Sequence, residues 1–248
     1  MSWPPPFEHA WDSLGNFLRG LYAASGVRPR AVLVVSAHWE AAQPTVTARV
    51  DPPLIYDYSH FPASTYALKY PAPGSPALAN RVIELLTGAG IAAASDPERG
   101  FDHGVFVPFL LIAPEASVPI VQLSLVTGLD PERHLAIGRA LGPLRDEDVL
   151  IVGSGMSYHN LDALRSGTRS EGATEFDAWL SATASAAPSL RSSRLRTWEQ
   201  APAARLVHPE EDHLLPLMVA VGAAETAPGR QIFHDRVMGA PLAAFQFG

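Results

Sequence analysis

The sequence predicts an α/β fold: a single domain with a mostly parallel central sheet flanked by helices. Three observations carry this expectation. Continuous apolar runs rich in β-branched residues recur at Ala31–Ser36, Val118–Leu125 and Val149–Val152, and such runs suit strands buried on both faces of a parallel sheet. Segments with apolar residues at helical spacing lie between and around them, as crossover connections require. The 248 residues, 47% of them hydrophobic, suffice for one substantial core, and no internal repeat or low-complexity linker divides them.

Taken in order, Trp11 to Ala24 places Trp11, Leu14, Phe17, Leu18 and Leu21 on one helical face and ends near Gly26. The strand Ala31–Ser36 follows. Ala77 to Gly88 reads as a helix with Leu78, Val82, Leu85 and Leu86 on one side. In the strand Val118–Leu125 the proline falls near the start, where a missing donor is tolerated. Pro131 to Leu144 is expected to be a helix, with Asp130 as N-cap and Pro131 in the first turn. The strand Val149–Val152 runs straight into Gly153-Ser154-Gly155. Glu175 to Ala184 and Pro209 to Val221 read as helices, the second entered from His208. Gln231 to Val237 and Ala243 to Phe247 read as closing strands.

Composition excludes several function classes. The net charge is −7 and no run of Lys or Arg exceeds two residues, so no basic footprint for nucleic acid is present. No apolar stretch reaches the ~18 residues needed to span a bilayer. Met1-Ser2-Trp3-Pro4-Pro5-Pro6 lacks the positive start and apolar core of a secretory signal. There are no cysteines, so any metal sits on His, Asp or Glu, and the expected compartment is the cytoplasm. Phosphate-cradling loops and Gly-x-Gly-x-x-Gly are absent. Ser154 between glycines invites a nucleophile-elbow reading, but Met156 occupies a position where that turn needs glycine.

The nine histidines are the chemistry-bearing residues. His38 lies two residues past the strand Ala31–Ser36, His159 follows Val149–Val152 through a short turn, and His213 falls in the first turn or so of the helix entered at His208. Sites in open α/β sheets form outside the carboxyl ends of strands, so His38 and His159 share one crevice if their strands are neighbours. Converging neutral imidazoles suit iron or zinc. Spacing alone leaves the plainer reading open for each, a hydrogen-bonded loop residue. His103, in Gly100-Phe101-Asp102-His103-Gly104, has glycines that permit close backbone approach, or marks an ordinary turn. His9, His60, His134 and His234 read as surface or structural.

An ordered set of motifs then carries a resemblance. Ser36-Ala37-His38-Trp39, Ile55-Tyr56-Asp57-Tyr58 with Phe61-Pro62, Tyr70-Pro71-Ala72-Pro73-Gly74, Gly100-Phe101-Asp102-His103-Gly104, Pro119-Ile120-Val121-Gln122-Leu123-Ser124, Gly153-Ser154-Gly155 with His159-Asn160-Leu161, and Asp212-His213-Leu214-Leu215-Pro216-Leu217 follow one another along the chain. Together they resemble the DODA-type (DOPA-dioxygenase-like) branch of the class III extradiol dioxygenases, from about Arg28 to the C-terminus.

The resemblance implies a non-haem enzyme that opens a catechol-type ring beside its hydroxyls with O₂, using Fe(II) or, in some relatives, Zn(II). It implies metal ligation by His38 and His213. His159 becomes an acid/base beside the metal, or a further ligand with zinc, and His103 a second catalytic imidazole near substrate and oxygen. Tyr56, Tyr58 and Phe61 become candidate walls of an aromatic pocket, although core packing explains them equally well. It also implies a further ligand, from a His-Gly pair closing an N-terminal strand. No such pair precedes Trp11, and residues 1–248 are therefore expected to form one catalytic domain lacking that strand, with metal held weakly. Two rivals stand beside the dioxygenase reading: a zinc-dependent hydrolase on the same site, and a non-catalytic, Memo-like binding protein.

Overall fold

The computed structural model describes residues 9–26, 28–166 and 172–248. Helix α1 (Asp12–Ser25) ends at Gly26, whose φ of 67° is the left-handed turn glycine provides cheaply and whose N–H reaches the Tyr22 carbonyl. Strand β1 (Ala31–Ala41) alternates its burial between two cores. Leu33 and Val35 enter one, with Leu86, Leu135 and Val219; Val32 and Val34 enter the other, with Phe101, Phe106 and Phe109. That is the period of a strand covered on both faces.

Strand β2 (Thr45–Thr47), helix α2 (Pro76–Gly88) and strand β3 (Ala94–Asp96) follow. Ser75 caps α2 by accepting the Leu78 N–H. Next come helix α3 (His103–Ile112), the fully buried strand β4 (Ile120–Val126) and helix α4 (Pro131–Leu141). The expected cap is present, Asp130 accepting the Arg133 N–H at 2.8 Å, but α4 gives way to a 3-10 turn at Gly142–Glu147. Strand β5 (Val149–Ser154) leads to helices α5 (Leu161–Ser166), α6 (Ala173–Ala184), α7 (Pro188–Arg196), α8 (Ala204–Val207) and α9 (Leu215–Ala223). The chain closes with β6 (Gly229–Val237) and β7 (Ala240–Phe247). Among the described residues no helix is long and apolar enough to cross a membrane.

The central sheet has the order β3-β2-β4-β1-β5 and is parallel except where β2 meets β4. This is the α/β fold read from the sequence. Because β1 and β5 pair in register from Ala31↔Val149 to Ser36↔Ser154, His38 and the segment that carries His159 lie at the same end of the sheet.

Four expectations need correction. The helix expected from Pro209 begins only at Leu215. Pro216 explains this: inside a longer helix it would remove a hydrogen bond and strike the carbonyl four residues back, whereas the first turn accepts it. His213 therefore stands in the turn before α9. His38 lies within β1, in a stretch where the register against β4 shifts between Val35 and Glu40. The two closing strands form a separate antiparallel hairpin turned by Met238 and Gly239 at positive φ. Finally, β5 reads as a buried strand but is mostly half-buried. Its inner edge pairs with β1, and its outer side lines a cavity of about 780 Å³ shared with α1, β6 and β7.

Backbone packing beneath β5 yields a contrast for measurement. A Cβ on Gly155 would sit 2.2 Å from the His213 carbonyl oxygen, while one on Gly88 meets nothing within 4 Å. Gly155→Ala is expected to cost about 1–3 kcal/mol in urea denaturation. Gly88→Ala should be neutral or stabilise by up to about 1 kcal/mol. Equal effects at the two positions contradict the packing described.

Candidate active site

Four elements deliver four imidazoles to one place. His38 comes from the irregular part of β1. His159 follows β5, where its N–H donates to the Val207 carbonyl at 3.1 Å. His213 precedes α9, and its carbonyl accepts the Met156 N–H at 3.0 Å. His103 is the first residue of α3. The rings form a row. Centroids are 3.9 Å apart for His103 and His38, 4.8 Å for His38 and His213, and 3.3 Å for His213 and His159, the last pair stacked. The histidines singled out in the sequence are thus brought together.

Two carboxylates back the row, and sequence reasoning assigned neither a role. Asp57 Oδ1 accepts from the His103 main-chain N–H at 3.0 Å and from its ring Nδ1 at 2.8 Å. Asp212 Oδ2 accepts from His213 Nδ1 at 2.8 Å, and its other oxygen accepts the His213 N–H and lies 4.0 Å from His159 Nδ1. A carboxylate only accepts, so Nδ1 carries a proton in both rings, and in the neutral form the lone pair is left on Nε2. Carboxylate-backed imidazoles of this kind are the usual support of a metal ligand. The signal for Asp212 was its adjacency to His213. Asp57 stands 46 residues from its partner, and only the fold joins them.

Electrostatics keeps His38 and His159 unprotonated. Burial, helped by His103 and His213, lowers His38 to about 3. Burial and then His213 lower His159 to about 4, against the opposing pull of Asp212. For Asp212, burial pushes upward, but the hydrogen bond and charge of His213 prevail and leave it at about 2. Burial likewise opposes the shift of Asp57, and the ring and backbone hydrogen bonds from His103 hold it below the usual carboxylate range.

The donor set fits a metal. His38, Asp57 and His103 offer ligand atoms within 4.8 Å of one another, and so do His159, Asp212 and His213. Neutral imidazole with some carboxylate suits iron or zinc, and no thiolate is available to select a softer ion.

The aromatic candidates divide. Tyr58 packs edge-on to His103 at 5.6 Å, and Phe61, 41% exposed, packs on Tyr58 at 5.4 Å. Tyr56 sits one layer back against Phe106, its hydroxyl donated to the Leu68 carbonyl at 2.6 Å. Of the remaining histidines, His134 is structural and fully buried: its Nε2 accepts the Val126 N–H and its Nδ1 donates to the Asp130 carbonyl. His9 pairs with Asp12 and His234 with Asp177 toward solvent, and His60 holds a positive-φ turn. His208, also fully buried, donates from Nε2 to the Ser157 carbonyl beneath the His159 turn.

The family described as the catalytic LigB subunit of aromatic ring-opening dioxygenase matches residues 7–246. This chain belongs to that family. It is 45% identical over 202 residues to a 4,5-DOPA dioxygenase extradiol of Portulaca grandiflora, covering 79% of this chain and 73% of that protein. To the Beta vulgaris enzyme of the same name it is 42% identical over 211 residues, covering 84% and 78%. The crystal structure of an uncharacterized Escherichia coli K12 protein superposes with a TM-score of 0.80 at 32% identity, covering 94% of this chain and 92% of that one. The DODA-type resemblance and its fold are borne out, and the chain is an extradiol ring-opening dioxygenase of this family.

The lowered histidines set the acid stability of the metal-free protein. An unfolded chain protonates His near 6.5, while His38 and His159 stay neutral in the fold down to about 3 and about 4. Between those limits the unfolded state binds more protons, so stability rises with pH. Thermal midpoints should fall as pH drops from 6.5 toward 4, and His38→Gln should flatten that slope. Asp212 acts in a lower window, stabilising above its ordinary value and failing as pH falls toward 2. A midpoint that climbs on acidification below 6.5 contradicts the assignment.

Proposed function

We propose that this chain is a cytoplasmic enzyme that opens a catechol-type ring beside its hydroxyls with O₂, at one metal ion held by His38 and His213. Fe(II) is the ion proposed, with Zn(II) the alternative occupant. The observation that carries the reading is the row of four close-packed imidazoles at the carboxyl end of the sheet, two of them backed by carboxylates. A bound ferrous ion supplies Lewis acidity toward the catechol oxygens and electrons for oxygen.

The chain's own residues supply binding and proton handling. His159 is unprotonated at neutral pH and can accept a catechol proton. An anionic catecholate beside it raises its pKa from about 4 toward the working range, from which it returns the proton. His103, with Nδ1 committed to Asp57, offers Nε2 to substrate. Neutral, it accepts a hydrogen bond; protonated, it donates toward oxygen with Asp57 balancing the charge. Tyr58 walls the ring next to His103, and Phe61 flanks Tyr58 on the solvent side. Tyr56 supports that wall from behind.

Anaerobic Fe(II) loading followed by oxygen uptake across a catechol panel tests the reading. His38→Ala and His213→Ala should each lose metal while remaining folded. His159→Phe should lose on the order of 10²–10⁴-fold in kcat while a catechol still docks. Full metal content in both alanine variants, or an unchanged kcat in His159→Phe, overturns the roles assigned.

A further inference from the structure

Ser36, Gln122 and Ser154 stand on the adjacent strands β1, β4 and β5, and all three reach one backbone turn, residues 102–104. Asp102 is the hub of that turn and is completely buried. Its Oδ1 accepts the Ser36 hydroxyl at 2.8 Å and the Gly104 N–H at 3.1 Å. Its Oδ2 accepts from Arg99 at 3.2 Å and from the Gln122 side-chain amide. Gln122 closes a fork by accepting the Asp102 N–H at 3.3 Å. Ser154 donates to the Gly104 carbonyl at 2.5 Å, which gives the serine of the Gly-Ser-Gly turn an anchoring place.

Capping alone does not account for this. Asp102 is the N-cap of α3, and a cap needs one hydrogen bond to a helix N–H. Here four donors fill the carboxylate, which is as many as its lone pairs take. One of them continues into the row of imidazoles: Ser36 Oγ also accepts the His38 N–H at 3.2 Å. Asp102 is therefore followed directly by His103 and linked through one hydroxyl to His38. The fit is tight as well. A Cβ on Gly104 would lie 2.5 Å from Ser36 Oγ and 3.0 Å from His38 Cδ2.

We propose that Asp102 is a positioning residue: with Ser36, Gln122 and Ser154 it fixes His103 against His38, and turnover depends on it through that geometry. The proposal rests on the dioxygenase reading above. It also predicts a structural signature that needs neither metal nor substrate. The His103 Nδ1–H, hydrogen-bonded to Asp57, should give a protected imidazole proton resonance in the metal-free protein.

The test is an exchange of groups. Asp102→Asn faces one amide with another, and Gln122→Glu faces one carboxylate with another. The double variant swaps the pair and restores the fork. Each single variant, assayed Fe(II)-loaded at a temperature where circular dichroism shows it fully folded, should lose roughly 10–100-fold in kcat. KM and iron content should change little, and the double variant should regain most of the loss. The His103 resonance should broaden or shift in the single variants and return in the double. If a single variant does not fold, Ser36→Ala, which deletes the hydroxyl that joins Asp102 to His38, replaces it with the same expectation. Wild-type kcat and an unmoved resonance in the variants overturn the proposal, as does a double variant no better than the singles. If the wild-type protein takes up no oxygen with any catechol, the dioxygenase reading fails, and the resonance alone decides the positioning role.

Discussion

Four imidazole rings whose nearest centroids lie 3.3–4.8 Å apart cannot all carry charge where water is scarce. Each proton added to one ring is repelled by its neighbours and penalised by burial. At His38 and His159 the protein therefore presents lone pairs where an isolated histidine would be half protonated on mild acidification. Much of the surrounding structure serves to hold the rings in that crowded state.

The scaffold meets the demand with backbone contacts more than with side chains. Glycines at 153 and 155 let the end of β5 lie against the carbonyls of Pro216 and His213, which brings the His159 and His213 segments together. Pro216 ends the irregular approach to α9 and leaves His213 in a turn, where its ring and its carbonyl both have work. Asp57 and Asp212 then select the tautomer of two rings, a task that burial alone cannot perform. Buried polar contacts of this kind stabilise the fold only when their groups are satisfied, and the Asp102 carboxylate is filled by four donors.

How much of this was legible in the sequence varies from element to element. Strands β1 and β4 announced themselves as β-branched apolar runs, and α2, α4 and α6 as helical segments, with Asp130 at the cap of α4. Helix α3 was hidden because it is apolar all round and contains Pro108, so no amphipathic period marks it, and its first turn read as a loop. The start of α9 was misplaced because apolar spacing outweighed Pro216. For β5 the residues describe a central strand, but an open outer edge depends on what the rest of the chain places there. In the site, His38, His159, His213 and His103 were found through strand ends and motif order. The carboxylates were not, because hydrogen bonding between Asp57 and His103 is a property of the fold and leaves no spacing in the sequence.

The central claim is that the row of imidazoles serves one metal ion, with His38 and His213 as its ligands. Two clusters of donors compete for that description, one with Asp57 and one with Asp212. An anomalous-difference map from crystals loaded anaerobically with Fe(II) separates the possibilities. The account predicts a single peak within roughly 2.0–2.2 Å of a ring nitrogen on both His38 and His213, the distance usual for imidazole on a divalent first-row ion. Two separate peaks, or one peak bound by a carboxylate and only one of those two histidines, would contradict it.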